Sequence, residues 1–151
     1  MALLLLLAGN AQAQTVYHVN IKPEGMIDPG VAAFIERVIE DAEAAEVDAI
    51  VFEIDTFGGR VDAATVIRDA ILDANALTIA FVNKRAISAG ALISLACDKI
   101  VMTQASTMGA TTPVDGSGTK GSDKTVSYMR AEMRATAERT GRDVKIAEAM
   151  V

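Results

Sequence analysis

The stretch Ala49-Ile50-Val51-Phe52-Glu53-Ile54-Asp55-Thr56-Phe57-Gly58-Gly59-Arg60, followed by Val61 to Ala74, decides the fold class of this 151-residue chain. Ala49 to Ile54 is a short run of β-branched and aromatic residues and reads as a largely buried strand. The paired glycines make a turn, and from Val61 the apolar residues (Ala63, Ile67, Ala70, Ile71, Ala74) recur with helical spacing. Strand, Gly-rich turn and helix form one unit of an α/β protein. The pattern repeats outward in both directions. Upstream, Val16 to Ile21 reads as a strand; Asp28 can cap and Pro29 can open a helix whose apolar stripe is Val31, Phe34, Ile35, Val38, Ile39, Ala42 and Ala45. Downstream, Thr78 to Val82 is a third strand, Asn83 to Ile87 a connection, Ser88-Ala89-Gly90-Ala91 the start of a helix reaching about Ala96, and Lys99 to Met102 a fourth strand. Thr111 to Asp123, rich in Gly, Ser, Thr and Asp, is predicted to be a surface loop that can act as a flap. The next helix carries the inner stripe Val126, Met129, Met133, Ala137 and Thr140 and stops at Gly141, after which Asp143 can cap one more.

Composition narrows the function. Twenty acidic against 14 basic side chains give a net charge of −6, with no basic footprint for nucleic acid. One cysteine, Cys97, excludes an internal disulfide, and with one histidine, His18, no Cys/His zinc cluster can be built. His18 alternates with Tyr17, Val19 and Ile21 and reads as a strand residue rather than a catalytic base. Residues 1–13 contain the apolar run Leu3 to Leu7 and then Ala11-Gln12-Ala13, the small-x-small form that a signal peptidase cuts. We expect a signal-peptide remnant there and a mature domain over residues 14–151.

Ser88 is the candidate nucleophile. A serine before small residues at a helix start lies near unpaired N–H groups and the positive end of the dipole, although the same position suits an ordinary N-cap. Gly58 and Gly59 can turn an N–H toward a ligand, so Gly59 and Ala89 could together supply an oxyanion hole. With no convincing histidine, the base would be a lysine. Lys84 and Lys99 flank strands and Lys120 sits among glycines. Lys124 falls in the first turn of a helix, where the dipole opposes its charge; from position alone a solvated role stays open.

Asp55-Thr56-Phe57-Gly58-Gly59-Arg60-Val61-Asp62-Ala63, Ile87-Ser88-Ala89-Gly90-Ala91, Thr107-Met108-Gly109-Ala110 and Glu138-Arg139-Thr140-Gly141-Arg142 together resemble the NfeD-type (nodulation-efficiency) membrane-associated Clp-class serine proteases. The resemblance covers nearly all of residues 14–151. It implies a Clp/crotonase-like α/β fold of repeated ββα units, with Ser88 as nucleophile, Lys124 ahead of Ser127-Tyr128 as base, and Gly58 and Gly59 at the oxyanion hole. It also implies no cofactor, homo-oligomers, and a domain on the extracytoplasmic side of a membrane, tethered through parts outside this chain. The expected substrate is a hydrophobic segment of a stomatin-like partner. On this resemblance the chain is a C-terminally truncated fragment. It departs from the family at Phe57, where proline is usual, which predicts a looser turn. Two other readings stay open, a crotonase-type acyl-coenzyme-A enzyme and a catalytically silent scaffold for a stomatin-like protein. Phe57, Ile87 and Met108 are the expected apolar substrate contacts, with Lys84 and Arg85 pointing to water.

Overall fold

The computed structural model describes residues 14–22 and 25–151; the proposed signal-peptide remnant lies outside them. The element order is β1 (Val16–Ile21), α1 (Pro29–Ala44), β2 (Ala49–Thr56), α2 (Val61–Asp73), β3 (Leu77–Ile87), α3 (Ala89–Ala96), β4 (Lys99–Met102), β5 (Thr107–Gly109), α4 (Asp123–Arg139) and α5 (Val144–Ala149). The strands run parallel in the order β1-β2-β3-β4, with β5 beside the far half of β3. In such an order right-handed crossovers place successive helices side by side on one face, and α1 packs on α2, α2 on α3 and α3 on α4. The strands show which face that is: Val19 and Ile21, Phe52 and Ile54, and Ala80 and Val82 are buried beneath the helices. Their neighbours Val16, Leu77 and Val101 on the opposite face are exposed.

The chain does not pass directly from strand to helix. After β1, Ile27 forms a parallel bridge with Gly59, and after β2 the pairing shifts so that Thr56 lies opposite Ala86. Residues 85–87 then pair with β5. Strand, short second extended piece and helix therefore recur, although no sequence repeat marks it. The connection expected at Asn83 to Ile87 is strand instead, because pairing with β5 extends β3 to Ile87. The three-residue β5 is too short to announce itself by periodicity.

Local signals account for the helix ends. Asp28 accepts a hydrogen bond from the Val31 N–H at 2.9 Å with Pro29 at the first position, and Asp143 accepts from the Lys145 and Ile146 N–H groups. Gly141 adopts φ 68 after α4. Three stripe residues depart from expectation: Phe34 is 47% exposed, at the edge of the buried face of α1; Ala45 is the exposed C-cap of that helix; and Thr140 is a half-buried C-cap whose hydroxyl donates to the Thr136 carbonyl. Among the described residues no helix is long and apolar enough to cross a membrane.

Helix α3 is buried along its whole length. Its C-terminal end leaves carbonyls without helical partners, and Arg142 supplies them: the guanidinium donates to the carbonyls of Leu95 (3.0 Å), Cys97 (2.7 Å) and Asp98 (3.2 Å). Burial lowers the Arg142 pKa below its ordinary value and pushes the Cys97 thiol well above its own. Arg142→Ala leaves these acceptors unpaired and is expected to cost about 2 kcal/mol, read as a lower urea midpoint with unchanged slope. Arg142→Lys, which cannot fork across several carbonyls, should recover only part of the loss.

Candidate active site

Ser88 joins β3 to α3 with its backbone at φ 54, ψ −114, a setting that costs a residue with a Cβ roughly 1–3 kcal/mol. Its N–H donates to the Gly109 carbonyl at 2.8 Å, and its carbonyl accepts from Ala91 at 2.9 Å. The side chain makes no capping bond to α3. The ordinary N-cap role left open by the sequence is therefore not the one adopted: the elbow turns the hydroxyl to the Gly58 turn instead.

The contact is close. A Cβ added to Gly58, at φ 108, would lie 2.7 Å from Ser88 Cβ and 3.2 Å from Ser88 Oγ. At Gly59 an added Cβ would fall 2.2 Å from the Ile27 carbonyl oxygen and 2.4 Å from its nitrogen. Both glycines are thus required by approach, and at Gly58 also by backbone angle. The bridge uses the Ile27 N–H to the Gly58 carbonyl (3.0 Å) and the Arg60 N–H to the Ile27 carbonyl (2.8 Å). Alternation along an extended chain then points the Gly59 N–H away from Ile27, to the β3 side. The Gly58 N–H is already taken, donating at 3.1 Å to buried Thr56 Oγ1. Among the described residues the Gly59 and Ala89 N–H groups have no partner, which makes them the free donors beside Ser88. Thr56 was not among the expected site residues, and its one signal in the sequence is a threonine at the end of a buried strand, two residues before a Gly58 nitrogen that needs an acceptor.

Phe57, Gly58, Gly59, Ile87 and Ser88 line one cleft of about 770 Å³, closed on other sides by Met26, Ala110 and Val114. Three expected site residues lie outside its lining. Ala89 is buried directly beneath the elbow. Met108 is opposite Ala86 in the register and packs with it toward the core, so Ala110, Thr112 and Val114 take the place expected for it. Lys124 is exposed in the first turn of α4 and is not in contact with the cleft. Within the segment expected to be a surface loop, residues 114–120 form a hydrogen-bonded hairpin. Val114 bridges Lys120, and the Asp115 carboxylate accepts from the Ser117 N–H, the Ser117 hydroxyl and the Thr119 N–H. The Ser117 hydroxyl and then these N–H groups hold the Asp115 carboxyl below its usual range. His18 is far from this chemistry in role as well as sequence: on the open sheet face it pairs with Glu53 at 2.9 Å. Arg85, expected to face water, is instead half-buried and bound to Asp55.

The profile described as NfeD1b, N-terminal domain, matches residues 15–151. The chain belongs to this family. It is 40% identical over 144 residues to the membrane protein NfeD1b of Bacillus subtilis (strain 168), taking in 95% of this chain and 32% of that protein. It is 31% identical over 159 residues to the membrane-bound protease PH1510 of Pyrococcus horikoshii, taking in 100% of this chain and 36% of that one. The chain thus spans about a third of the length of these curated relatives. Among solved structures, it matches a serine-to-alanine mutant of the 1510-N membrane-bound stomatin-specific protease of P. horikoshii (TM-score 0.84, 30% identity, 93% of this chain and 70% of that one). A lysine-to-alanine mutant of that protease, in complex with a substrate peptide, matches at TM-score 0.83 and 30% identity over 91% of this chain and 66% of that one. Fold alone is shared with ClpP1 from Listeria monocytogenes (TM-score 0.61, 20% identity, 89% and 76% covered). The same holds for an enoyl-CoA hydratase from Mycobacterium avium subsp. paratuberculosis (0.55, 21%, 64% and 44%). The fold is the α/β architecture of the Clp and crotonase-like proteins.

Two outcomes follow from this geometry. Ser88→Gly relieves the backbone strain that Ser88→Ala keeps, and is expected to be about 1 kcal/mol more stable than Ser88→Ala in chemical denaturation. The Asp115 carboxyl has a folded pKa below its unfolded value, so its contribution to the hairpin is complete above the ordinary carboxylate range and is lost as pH falls through the depressed value. Amide exchange at Ser117 and Thr119 should accelerate, relative to α3 amides, only in acid below that range, and in Asp115→Ala it should be fast at neutral pH.

Proposed function

We propose that residues 14–151 are a serine endopeptidase domain that uses a Ser-Lys dyad to cut hydrophobic segments of membrane-associated proteins such as a stomatin-like partner. The observation that carries the reading is the strained Ser88 elbow pressed against Gly58, with the Gly59 and Ala89 N–H groups left free beside it. The named activity of the relative PH1510 supports the reading. In the proposed reaction neutral Lys124 accepts the Ser88 proton as Oγ attacks the peptide carbonyl. Gly59 and Ala89 donate to the oxyanion. Collapse releases the amine, which takes the proton from Lys124, and water repeats the sequence on the acyl-enzyme with Lys124 again as base.

Lys124 reaches Ser88 in this scheme only when the hairpin and the start of α4 shift toward the elbow, and a peptide lying against Val114 is what would draw them. The domain works extracytoplasmically as a homo-oligomer, tethered through parts outside this chain, and without a cofactor.

Ser88→Ala is expected to abolish peptide hydrolysis, and Lys124→Ala to lower kcat at least 100-fold, with Lys120→Ala within a few-fold of the parent. A fluorophosphonate should modify Ser88 alone. Because the base must be unprotonated, hydrolysis should rise from acid to alkaline pH. Full activity in Lys124→Ala would overturn the dyad, and folded protein that neither cleaves nor labels would favour a scaffold.

A further inference from the structure

Phe57, just ahead of the Gly58-Gly59 turn, is held by its neighbours. The Arg85 guanidinium lies 4.5 Å from the centroid of its ring. Arg85 is itself fixed by Asp55 through two contacts, Nε to Oδ1 at 2.9 Å and a second guanidinium nitrogen to Oδ2 at 3.3 Å. The Asp55 side chain is 15% exposed and that of Arg85 34%, so this forked pair is partly withdrawn from water, where planar pairing holds best. Phe57 is 62% exposed and lines the cleft, whereas Arg85 and Asp55 do not. The cation therefore covers the ring from outside the cleft and leaves the ring's other surface to whatever binds beside Ser88. Sequence brings the three together by register: Asp55 and Phe57 flank buried Thr56, and Thr56 is opposite Ala86, next to Arg85.

We propose that Asp55, Arg85 and Phe57 form a specificity clamp, in which the ion pair holds Phe57 as an aromatic platform for one bulky apolar side chain of a peptide in the cleft. The proposal deepens the endopeptidase reading and rests on it for the nature of the ligand. The chemistry selects against as well as for. An aromatic or branched aliphatic side chain gains contact area on a ring already immobilised, with no ordering cost left to meet on binding. A lysine or arginine gains little there, because the ring quadrupole is engaged by Arg85 and a second cation would meet its charge. Arg85 and Asp55 are positioning residues in this scheme, and Phe57 is the contact.

The test is equilibrium binding, which does not require cleavage. Fluorescence anisotropy would measure the affinity of the Ser88→Ala chain for apolar decapeptides differing at a single site (Phe, Ala or Lys), scanned through the peptide. The parent should prefer Phe over Ala by roughly 5-fold at one site and discriminate against Lys there. Phe57→Ala and Arg85→Met should each remove that preference at the same site, and Arg85→Met should also relax the discrimination against Lys. Arg85→Lys, which keeps the charge and loses the planar stack, should fall between. Three results would overturn the clamp: preference unchanged in Arg85→Met with the fold intact by circular dichroism, equal weakening for all peptides, or no peptide bound. Hydrolysis by the Ser88 chain is scored separately. Selective binding without cleavage would retain the clamp and sink the endopeptidase reading.

Discussion

The approach of bare backbone at Gly58 and Gly59 is the constraint on which the site depends. Ile27 comes within a distance of Gly59 that no side chain at that position could survive, and Ser88 closes on Gly58 from the other direction. The ends of three parallel units thereby meet with no side chain between them. The bridge to Ile27 fixes the direction of the Gly59 N–H, and Thr56 Oγ1 takes the neighbouring Gly58 N–H. One donor is left over beside the serine. Free donors near a nucleophile are usually explained by what they bind; here the backbone alternation explains why Gly59, and not Gly58, has a hydrogen to offer.

A strained serine persists only where its surroundings over-determine it. Helix α3 provides that condition: all eight of its residues are buried, so the elbow cannot relax by rotating the helix without exposing a face of the core. Its far end is closed by Arg142, and Asp98 just beyond it receives the Thr78 N–H and hydroxyl and donates its own N–H back. The GR pair of the Glu138 to Arg142 motif thus acts on the helix that carries Ser88, from about 12 Å along its axis. Gly141 makes the turn that lets Arg142 reach those carbonyls.

Periodicity, caps and the paired glycines made the alternating α/β order readable, because each reflects a local cause: one buried face per helix, Asp28 with Pro29, and a turn no other residue fits. What escaped was set by partners distant in sequence. Strand β3 runs on to Ile87 because Thr56 on one side and β5 on the other pair with it, and Met108, opposite Ala86, turns inward with it. Arg85 looked like a solvated charge until the register put it beside Asp55 and over Phe57. Ser88 was legible as a residue of interest, but a helix-start serine is equally a cap, and the backbone angle that separates the two roles has no signature in composition.

The two halves of the proposed dyad rest on supports of different kind. Ser88 and its donors are fixed by buried backbone, whereas Lys124 stands exposed beyond a hairpin held by the Asp115 carboxylate. A lysine acts as a base where water is removed from its amine, since desolvation disfavours the charged form. An apolar peptide filling the cleft against Val114 would supply that desolvation as it drew the start of α4 inward, while a charged one would keep water and counter-charge beside the amine. On this reading the apolar character of the substrate and the chemistry of the base are a single requirement. In the proposed dyad the nucleophile is built in advance of binding, and the base becomes effective only when a segment of the right polarity covers it.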